Sequence, residues 1–476
     1  MQLTTEQQII SDHVINSTGL SMISAVAGSG KTSLLVAITK RLVALDPTSS
    51  GIYLAYNKSV ATEAKTKFPT QISCMTTHSL AYKPTVVDEK LKLGKFTYRQ
   101  IHENIEYELK VDIINHIRAF CLSSYLNVDD YASHFELSPL LTEYLHKYLD
   151  LMITGKSECT HEFYLKLFHI KLAYGNITYP TFDIIALDES GDLNPVTLEI
   201  FKLLPAVRKI MVGDPHQNIY QFNHTINCFS IMQDQGSYFP MTQSFRVDKD
   251  IAFRIQKFCR AYLHEDMSFK GTTIEDKSIK TRAYISRTNS ALIRKLMELN
   301  KLAIPYKTIR DIKDIFALPI ALCSIRPGGF TAISEYKYLQ DDANNYGKSK
   351  ELQSQYKTLL LYLRDLHEQD FALQQAIALI FQYGKSVIIN CFEISKKHSK
   401  VSQTYLLGTV HSCKGLEMDS VELADDMNQA IQTITTSIRT GELSPEDLTP
   451  EERAELNLYY VACSRAKKEI HNAKYL

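Results

Sequence analysis

The sequence predicts an α/β protein built on two parallel sheets, each interrupted by a mostly helical insertion. Short apolar segments rich in β-branched residues alternate with helical sequence in the first quarter of the chain, which is the rhythm of strand-helix-strand units. The texture then changes to amphipathic helix from about residue 97 to 178 before strand-like segments resume. The same succession recurs beyond residue 280, and 476 residues are too many for one hydrophobic core.

The first sheet is expected from LSMISAV ending at Val26, GIYLAYN from Gly51 and QISCMTT from Gln71. IHENIEYELKVDIINHIRAF and LLTEYLHKYLDLMI carry the apolar spacing of helices and form the first insertion. FDIIALDES and RKIMVGDP then complete that sheet. The second sheet begins with RAYISRTN and IPYKTI, breaks off into helical sequence from about 311 to 384, and is expected to resume with SVIINCF, TYLLGTV and YYVACSR. The polar stretch GELSPEDLTPEERAEL, residues 441 to 456, reads as a surface connector.

Composition narrows the function classes. Lys plus Arg number 53 and Asp plus Glu number 53, so no overall field draws the chain onto a polyanion, and a nucleic-acid contact has to come from a local groove. The nine cysteines are scattered without a CxxC pair, which points to reduced packing residues and away from a zinc or redox site. No apolar run approaches the ~18 residues of a membrane span, and the N-terminus lacks a secretory pattern. The expectation is a soluble, non-secreted protein of the cytoplasm, or of the nucleus in a eukaryote, with no membrane partner.

AVAGSGKTS, Ala25 to Ser33, follows a predicted strand and precedes the helical run LLVAITKRL, the context a P-loop requires. Ala27, Gly28, Ser29, Gly30, Lys31, Thr32 and Ser33 are therefore the candidate phosphate-binding residues, with Ala25 where the general pattern has Gly. The glycines let backbone N–H groups close on phosphate, Lys31 reaches the β and γ oxygens, and Thr32 ligates magnesium. A carboxylate at a neighbouring strand end is the necessary complement, and FDIIALDES supplies Asp188, as a second magnesium-binding residue, and Glu189, to polarise the attacking water. The implied cofactors are ATP and Mg2+.

With these motifs the chain resembles the UvrD/Rep-type superfamily 1 DNA helicases, and most of all the helicase portion of F-box DNA helicases. The resemblance runs in order through LTTEQ, AYNKSVATEA, CMTTHSLAY, GDPHQNIYQF, TQSFRVDKD, SRTN, TVHSCKGLEMDSV and NLYYVACSRAKK. It implies that Gln7 reads adenine, Phe245 stacks on it, Gln217 senses the γ-phosphate, Arg246 contacts that phosphate and Arg465 is an arginine finger. Gly415 and Glu417 are implied to touch nucleotide. Tyr56, Asn57, Lys58, Thr76, His78, Tyr220, Phe222, Arg287, Asn289 and His411 are implied to touch DNA, with Phe222 as the main base-stacking platform.

On this resemblance the sheets are RecA-like P-loop domains. Residues 1–88 and 180–245 form domain 1A around insertion 1B at 89–179, and 246–310 and 385–476 form domain 2A around a small insertion 2B at 311–384. The implied activity is an ATP hydrolase and DNA helicase that translocates 3′ to 5′ on single-stranded DNA, acting at single/double-strand junctions with replication or recombination proteins as possible partners. A translocase that displaces proteins but unwinds weakly, and a non-hydrolysing ATP- and DNA-binding switch, are the alternative readings.

For several of these residues a plainer role competes. Tyr56, Tyr220, Phe222 and Phe245 are also readable as core aromatics, and for Tyr82 that reading is preferred. His78 and His411 suit a structural hydrogen bond as well as DNA, and Arg287 and Lys414 suit a surface. The chain departs from the family at DESGD, Asp188 to Asp192, where Gly191 replaces a glutamine that links nucleotide state to the DNA groove. Ser33 stands where many members carry arginine, and Asn223-His224 where they carry Arg-Gly.

Overall fold

A computed structural model describes residues 3–97, 100–101, 105–219, 226–264, 267–331, 333, 336–348, 356–368, 370–398, 402 and 404–476. The fold is α/β, and the chain divides into two compact units, Met1–Phe245 and Arg246–Leu476.

In the first unit, β1 (Gly19–Ala25), β2 (Gly51–Ala55), β3 (Ile72–Thr76), β4 (Phe182–Leu187), β5 (Ala206–Gly213) and β6 (Gly236–Met241) form one sheet in the order β3-β2-β4-β5-β1-β6. Every pairing in it is parallel. A parallel sheet is covered on both faces, so its strands read as continuous apolar runs and adjacent residues serve different cores. Met22, Ile52, Leu54, Ile185, Leu187 and Met211 face one core, whereas Ile23, Tyr53, Ile184, Ala186, Ile210 and Val212 face the other.

The first core is shared with the helical insertion between β3 and β4, whose helices include Tyr107–Leu122, Val128–His134, Pro139–Ile153 and His161–Ala173. Phe120, Tyr131, Leu145, Tyr148 and Phe168 from these helices join the same buried cluster as the strand residues. The helices begin where side chains satisfy the open backbone donors of the first turn. Ser138 accepts from Leu141 N ahead of Pro139, and Thr160 accepts from Phe163 N.

The strand that follows the sheet, β7 (Gln243–Asp248), pairs with β8 (Lys270–Thr272) as a separate ribbon. In the second unit, β9 (Arg282–Ser286), β10 (Lys307–Thr308), β11 (Tyr405–Thr409), β12 (Met418–Leu423) and β13 (Ala466–His471) run in the order β10-β11-β9-β12-β13, again all parallel. Two parallel sheets with helices on both faces are the RecA-like architecture the motifs imply.

Three segments of the second unit differ from the sequence reading. SVIINCF lies in the helix Lys385–His398, not in a strand. Its buried positions are Ile388, Cys391 and Ser395, spaced three and four apart, while Val387 and Ile389 are exposed. The β-branched composition suggested a strand, but packing of one helical face decided the outcome. The second sheet consequently resumes at Tyr405. Tyr459 to Cys463 of YYVACSR likewise belong to the helix Pro450–Cys463, in which every residue from Leu456 to Cys463 is buried. A helix buried all round shows no periodicity that separates it from a core strand. The strand of that region is β13, just after it. Finally, the second half of GELSPEDLTPEERAEL is the start of this helix, closed by a capping box between Thr449 and Glu452.

All nine cysteines are buried free thiols. Among the described residues no single helix is long and apolar enough to cross a membrane. The helices Phe371–Tyr383 and Lys385–His398 are apolar together, but they meet at a sharp bend and supply Leu373, Ile377, Ile380 and Ile388 to the buried core of the second unit.

Candidate nucleotide and nucleic-acid site

The chemistry-bearing residues of the first unit gather at the carboxyl ends of its strands, where an open α/β sheet offers its crevice. β1 leads through Ala25 into the loop that ends at Gly30 and the helix Lys31–Leu45. Gly28 at φ 76° and Gly30 at φ 80° take the left-handed conformation that the tight turn demands and that a Cβ resists. Among the described residues no side chain caps the helix at Gly30, which leaves its first N–H groups suited to an anion.

Loop residues around this cradle are tied down. Ala27 accepts a 2.8 Å hydrogen bond from Ser244 Oγ, and Gly28 accepts one of 2.9 Å from Phe245 N. Phe245 is 54 % exposed, so its ring presents a face beside Gly30. Gln7 is buried; its Oε1 accepts from Thr4 N at 3.1 Å in a capping box, and its Nε2 donates to Ser29 O at 3.2 Å. Gln7 therefore joins the N-terminal helix to the phosphate loop. Ser29 Oγ is buried with no hydrogen bond among the described residues. Ser33 lies in the first turn of the helix, half-buried.

Across the cradle stand the two carboxylates after β4. Lys31 Nζ lies 3.2 Å from Glu189 Oε1, and Thr32 Oγ1 lies 3.4 Å from Asp188 Oδ2. Glu189 holds φ 52° and ψ 41°, a left-handed conformation that costs a non-glycine residue about 1–2 kcal/mol. Its N–H is anchored on Asp188 Oδ1 at 2.8 Å. Burial, and then the neighbouring Glu189, push the Asp188 carboxyl above the ordinary carboxylate range. Burial disfavours the charge on Lys31, but Glu189, Asp188 and Asp214 together hold its ammonium above its ordinary range. The result is a buried carboxylate beside a hydroxyl, a set of hard oxygens that suits a small divalent cation such as magnesium.

A second layer of hydrogen bonds lies beyond the carboxylates. Gln217 Nε2 donates to Asp214 Oδ2 at 2.9 Å, and both residues are buried. Asp192 Oδ1 accepts from Ile219 N at 3.2 Å, so the turn after Glu189 holds the segment that leads toward Tyr220 and Phe222. Tyr220 and Phe222, with Asn223 and His224, lie outside the described residues. A cavity of about 100 Å³ lined by Tyr56, Thr76, His78, Asp188, Asp192 and Asn194 places three of the DNA-contact candidates beside the carboxylates.

Those candidates are mixed in character. Tyr56 is exposed, Asn57 caps the helix Lys58–Ala64 by accepting from Val60 N, and Lys58 opens that helix on the surface. Thr76 caps the helix Thr77–Tyr82 through Ser79 N. His78 packs edge-on to Tyr164 at 5.7 Å, and burial, then His161, lowers its pKa below the ordinary histidine value. Tyr82 is no core aromatic: 43 % of it is exposed, and its ring meets Tyr164 edge-on at 6.1 Å.

In the second unit Arg246 Nε pairs with Glu417 Oε2 at 2.6 Å, which brings together two of the nucleotide-contact candidates. Gly415, at φ 82°, makes the turn that leads to Glu417. Arg465 is 1 % exposed; its guanidinium donates to Val461 O at 3.1 Å, Leu416 O at 3.4 Å and Ser464 Oγ at 3.0 Å. Asn289 opens the helix Asn289–Lys301 with its Oδ1 buried and unpaired among the described residues, and His411 is half-buried in the short helix Val410–Cys413. Arg287 forks onto Glu455, with contacts of 2.6 and 2.9 Å. Replacement of Arg287 by Ala strands that carboxylate and is expected to lower stability by about 1–3 kcal/mol in chemical denaturation. An unchanged midpoint would make the pair incidental.

Sequence reasoning missed Tyr53, Asp192 and Asp214 as parts of the site. Tyr53 sits mid-strand in GIYLA and looks like core filling, and nothing local to Asp214 reveals that Gln217 bonds to it.

Comparison with known proteins follows the same residues. Residues 7–223 match the AAA domain family. Over 98 % of its length the chain is 26 % identical to F-box DNA helicase 1 of Gallus gallus, covering 48 % of that protein. It is 25 % identical to F-box DNA helicase protein 1 of Schizosaccharomyces pombe, again over 98 % of its own length and 57 % of the relative. The chain thus spans about half the length of the curated relatives it matches. Along nearly its whole length it is similar to F-box DNA helicases.

Proposed function

We infer that this chain is an ATP-driven motor that moves along single-stranded DNA and separates strands. The observation that carries the reading is the set Lys31, Thr32, Asp188 and Glu189, drawn together from residues 158 apart onto the uncapped helix start at Gly30. This set suits hydrolysis: Lys31 counters charge growing on the terminal phosphate, and Glu189 is placed to orient water. Thr32 and Asp188 are the residues that would hold magnesium. When bound, that ion polarises phosphoryl oxygens and neutralises their charge. Phe245 offers a stacking surface for the base, and Gln7 fixes the loop beneath it.

Asp192 and Gln217 join the hydrolytic end of the sheet to the segment bearing Phe222, a route by which nucleotide state reaches the strand. Translocation 3′ to 5′, the finger role of Arg465, and action at single/double-strand junctions beside replication or recombination proteins rest on the resemblance of the motifs. To act as a finger, Arg465 has to leave its internal acceptors.

Steady-state phosphate release with and without poly-dT tests the reading. Stimulation of tenfold or more is expected, together with unwinding of a fork bearing a 3′ tail and not of one bearing a 5′ tail. Absence of stimulation would favour a static ATP- and DNA-binding switch. Displacement of streptavidin without unwinding would favour a translocase. Phe222→Ala is expected to spare basal hydrolysis and weaken single-strand binding by ~1–3 kcal/mol in fluorescence anisotropy, the usual contribution of one stacked base. Undiminished binding would remove Phe222 from the interface.

A further inference from the structure

We propose that Tyr53 is a positioning residue that fixes the carboxylate of Asp188 for the metal-nucleotide complex. The inference rests on the motor reading and deepens it.

The placement begins in the sheet. β2 and β4 pair in register, with Tyr53 opposite Ala186 and Leu54 opposite Leu187, and Asp188 N donates to Leu54 O at 3.1 Å. Asp188 therefore leaves the sheet one step beyond Leu187, on the side of the neighbouring strand that carries Tyr53. The tyrosine is 0 % exposed. Its ring is held against Phe68, with centroids 4.6 Å apart, so the hydroxyl has little freedom to swing.

From that fixed ring the hydroxyl donates to Asp188 Oδ2 at 2.5 Å. Thr32 Oγ1 approaches the same oxygen at 3.4 Å, and the Glu189 N–H occupies Oδ1 at 2.8 Å. Each carboxylate oxygen is thus held by a donor on a rigid element, and the Asp188 rotamer is set before any ligand arrives. Groups that orient a metal-binding carboxylate from behind act in this manner, and their loss usually lowers metal affinity or activity by 10- to 100-fold. A tyrosine that merely fills the core would have satisfied its hydroxyl on any acceptor, and its loss would change stability alone.

Tyr53→Phe keeps the ring and its packing and removes one oxygen. The variant and the wild-type chain are to be compared in three measurements: Mn2+ binding in the presence of ADP, by electron paramagnetic resonance; mant-ADP affinity in EDTA; and melting temperature. We expect Mn2+ affinity to fall about tenfold and kcat with it, while metal-free nucleotide affinity stays within twofold and cooperative melting persists. Wild-type Mn2+ affinity and kcat in Tyr53→Phe would overturn the assignment. So would a variant that loses only thermal stability or no longer melts cooperatively, because the hydroxyl would then be structural. Failure of the wild-type chain itself to bind Mn2+ with ADP would bring down the motor reading as well, and so is distinguishable from failure of Tyr53 alone.

Discussion

Lys31→Ala is expected to abolish DNA-stimulated ATP hydrolysis, with a loss of at least ~10²- to 10³-fold in kcat, the scale for removing one preorganised group that faces developing charge. The reason lies in the local charge balance. Lys31 stands 3.2 Å from Glu189 and is held charged by Glu189, Asp188 and Asp214, so its removal leaves a cluster of carboxylates where phosphate has to sit. Electrostatic repulsion then opposes both binding and turnover. Nucleotide affinity should weaken together with rate, and the fold should survive because the side chain fills no apolar core. Phosphate release in the presence of poly-dT measures the effect; turnover within threefold of the parent chain would remove Lys31 from the chemistry.

A second large effect is expected at Gly191, in a direction that family likeness alone would not suggest. The superfamily carries glutamine at this position, so Gly191→Gln looks like a repair. The structure forbids it: a Cβ on residue 191 would lie 2.2 Å from the carbonyl oxygen of Asp214, and one on Gly213 would lie 2.7 Å from Gly191 N. The turn after Glu189 and the end of β5 are packed backbone against backbone, with no space for side-chain mediation. Even Gly191→Ala should cost about 1–3 kcal/mol or more through overpacking, which is a drop of about 2–4 °C in melting temperature for each kcal/mol in a unit of this size. Because Asp214 holds Gln217, displacement of its backbone should also reduce the stimulation by DNA relative to the basal rate. If Gly191→Gln melts at the parent temperature and responds more strongly to poly-dT, the close approach is not what connects the two loops.

Much of this was legible before any coordinates. Five of the six strands of the first sheet and the helical character of its insertion follow from apolar runs, β-branched content and amphipathic spacing; β6, an edge strand with only Met241 buried, is not among them and extends the sheet beyond the strands read from the sequence. The phosphate loop and its two carboxylates follow from residue type in context. What escaped were features that depend on partners far away in sequence. Ile388 and Cys391 read as strand because only the opposing core reveals which side of the segment is covered. Leu456 to Cys463 showed no period because all sides are covered. The bond from Tyr53 to Asp188 spans 135 residues, and no spacing rule anticipates it. Gly191 illustrates the reverse case: its departure from the family pattern was visible in the sequence, but the carbonyl oxygen that enforces it was not.

The sharing of one buried cluster between sheet and insertion limits what can be trimmed from this molecule. Phe120, Tyr131, Leu145 and Phe168 are packed with Met22, Ile52 and Leu187, so the helices from Tyr107 to Ala173 are the roof of the sheet and not an accessory bolted to it. A minimal engine obtained by excising them would bare an oily slab the width of several strands. Such a polypeptide should clump instead of hydrolysing anything.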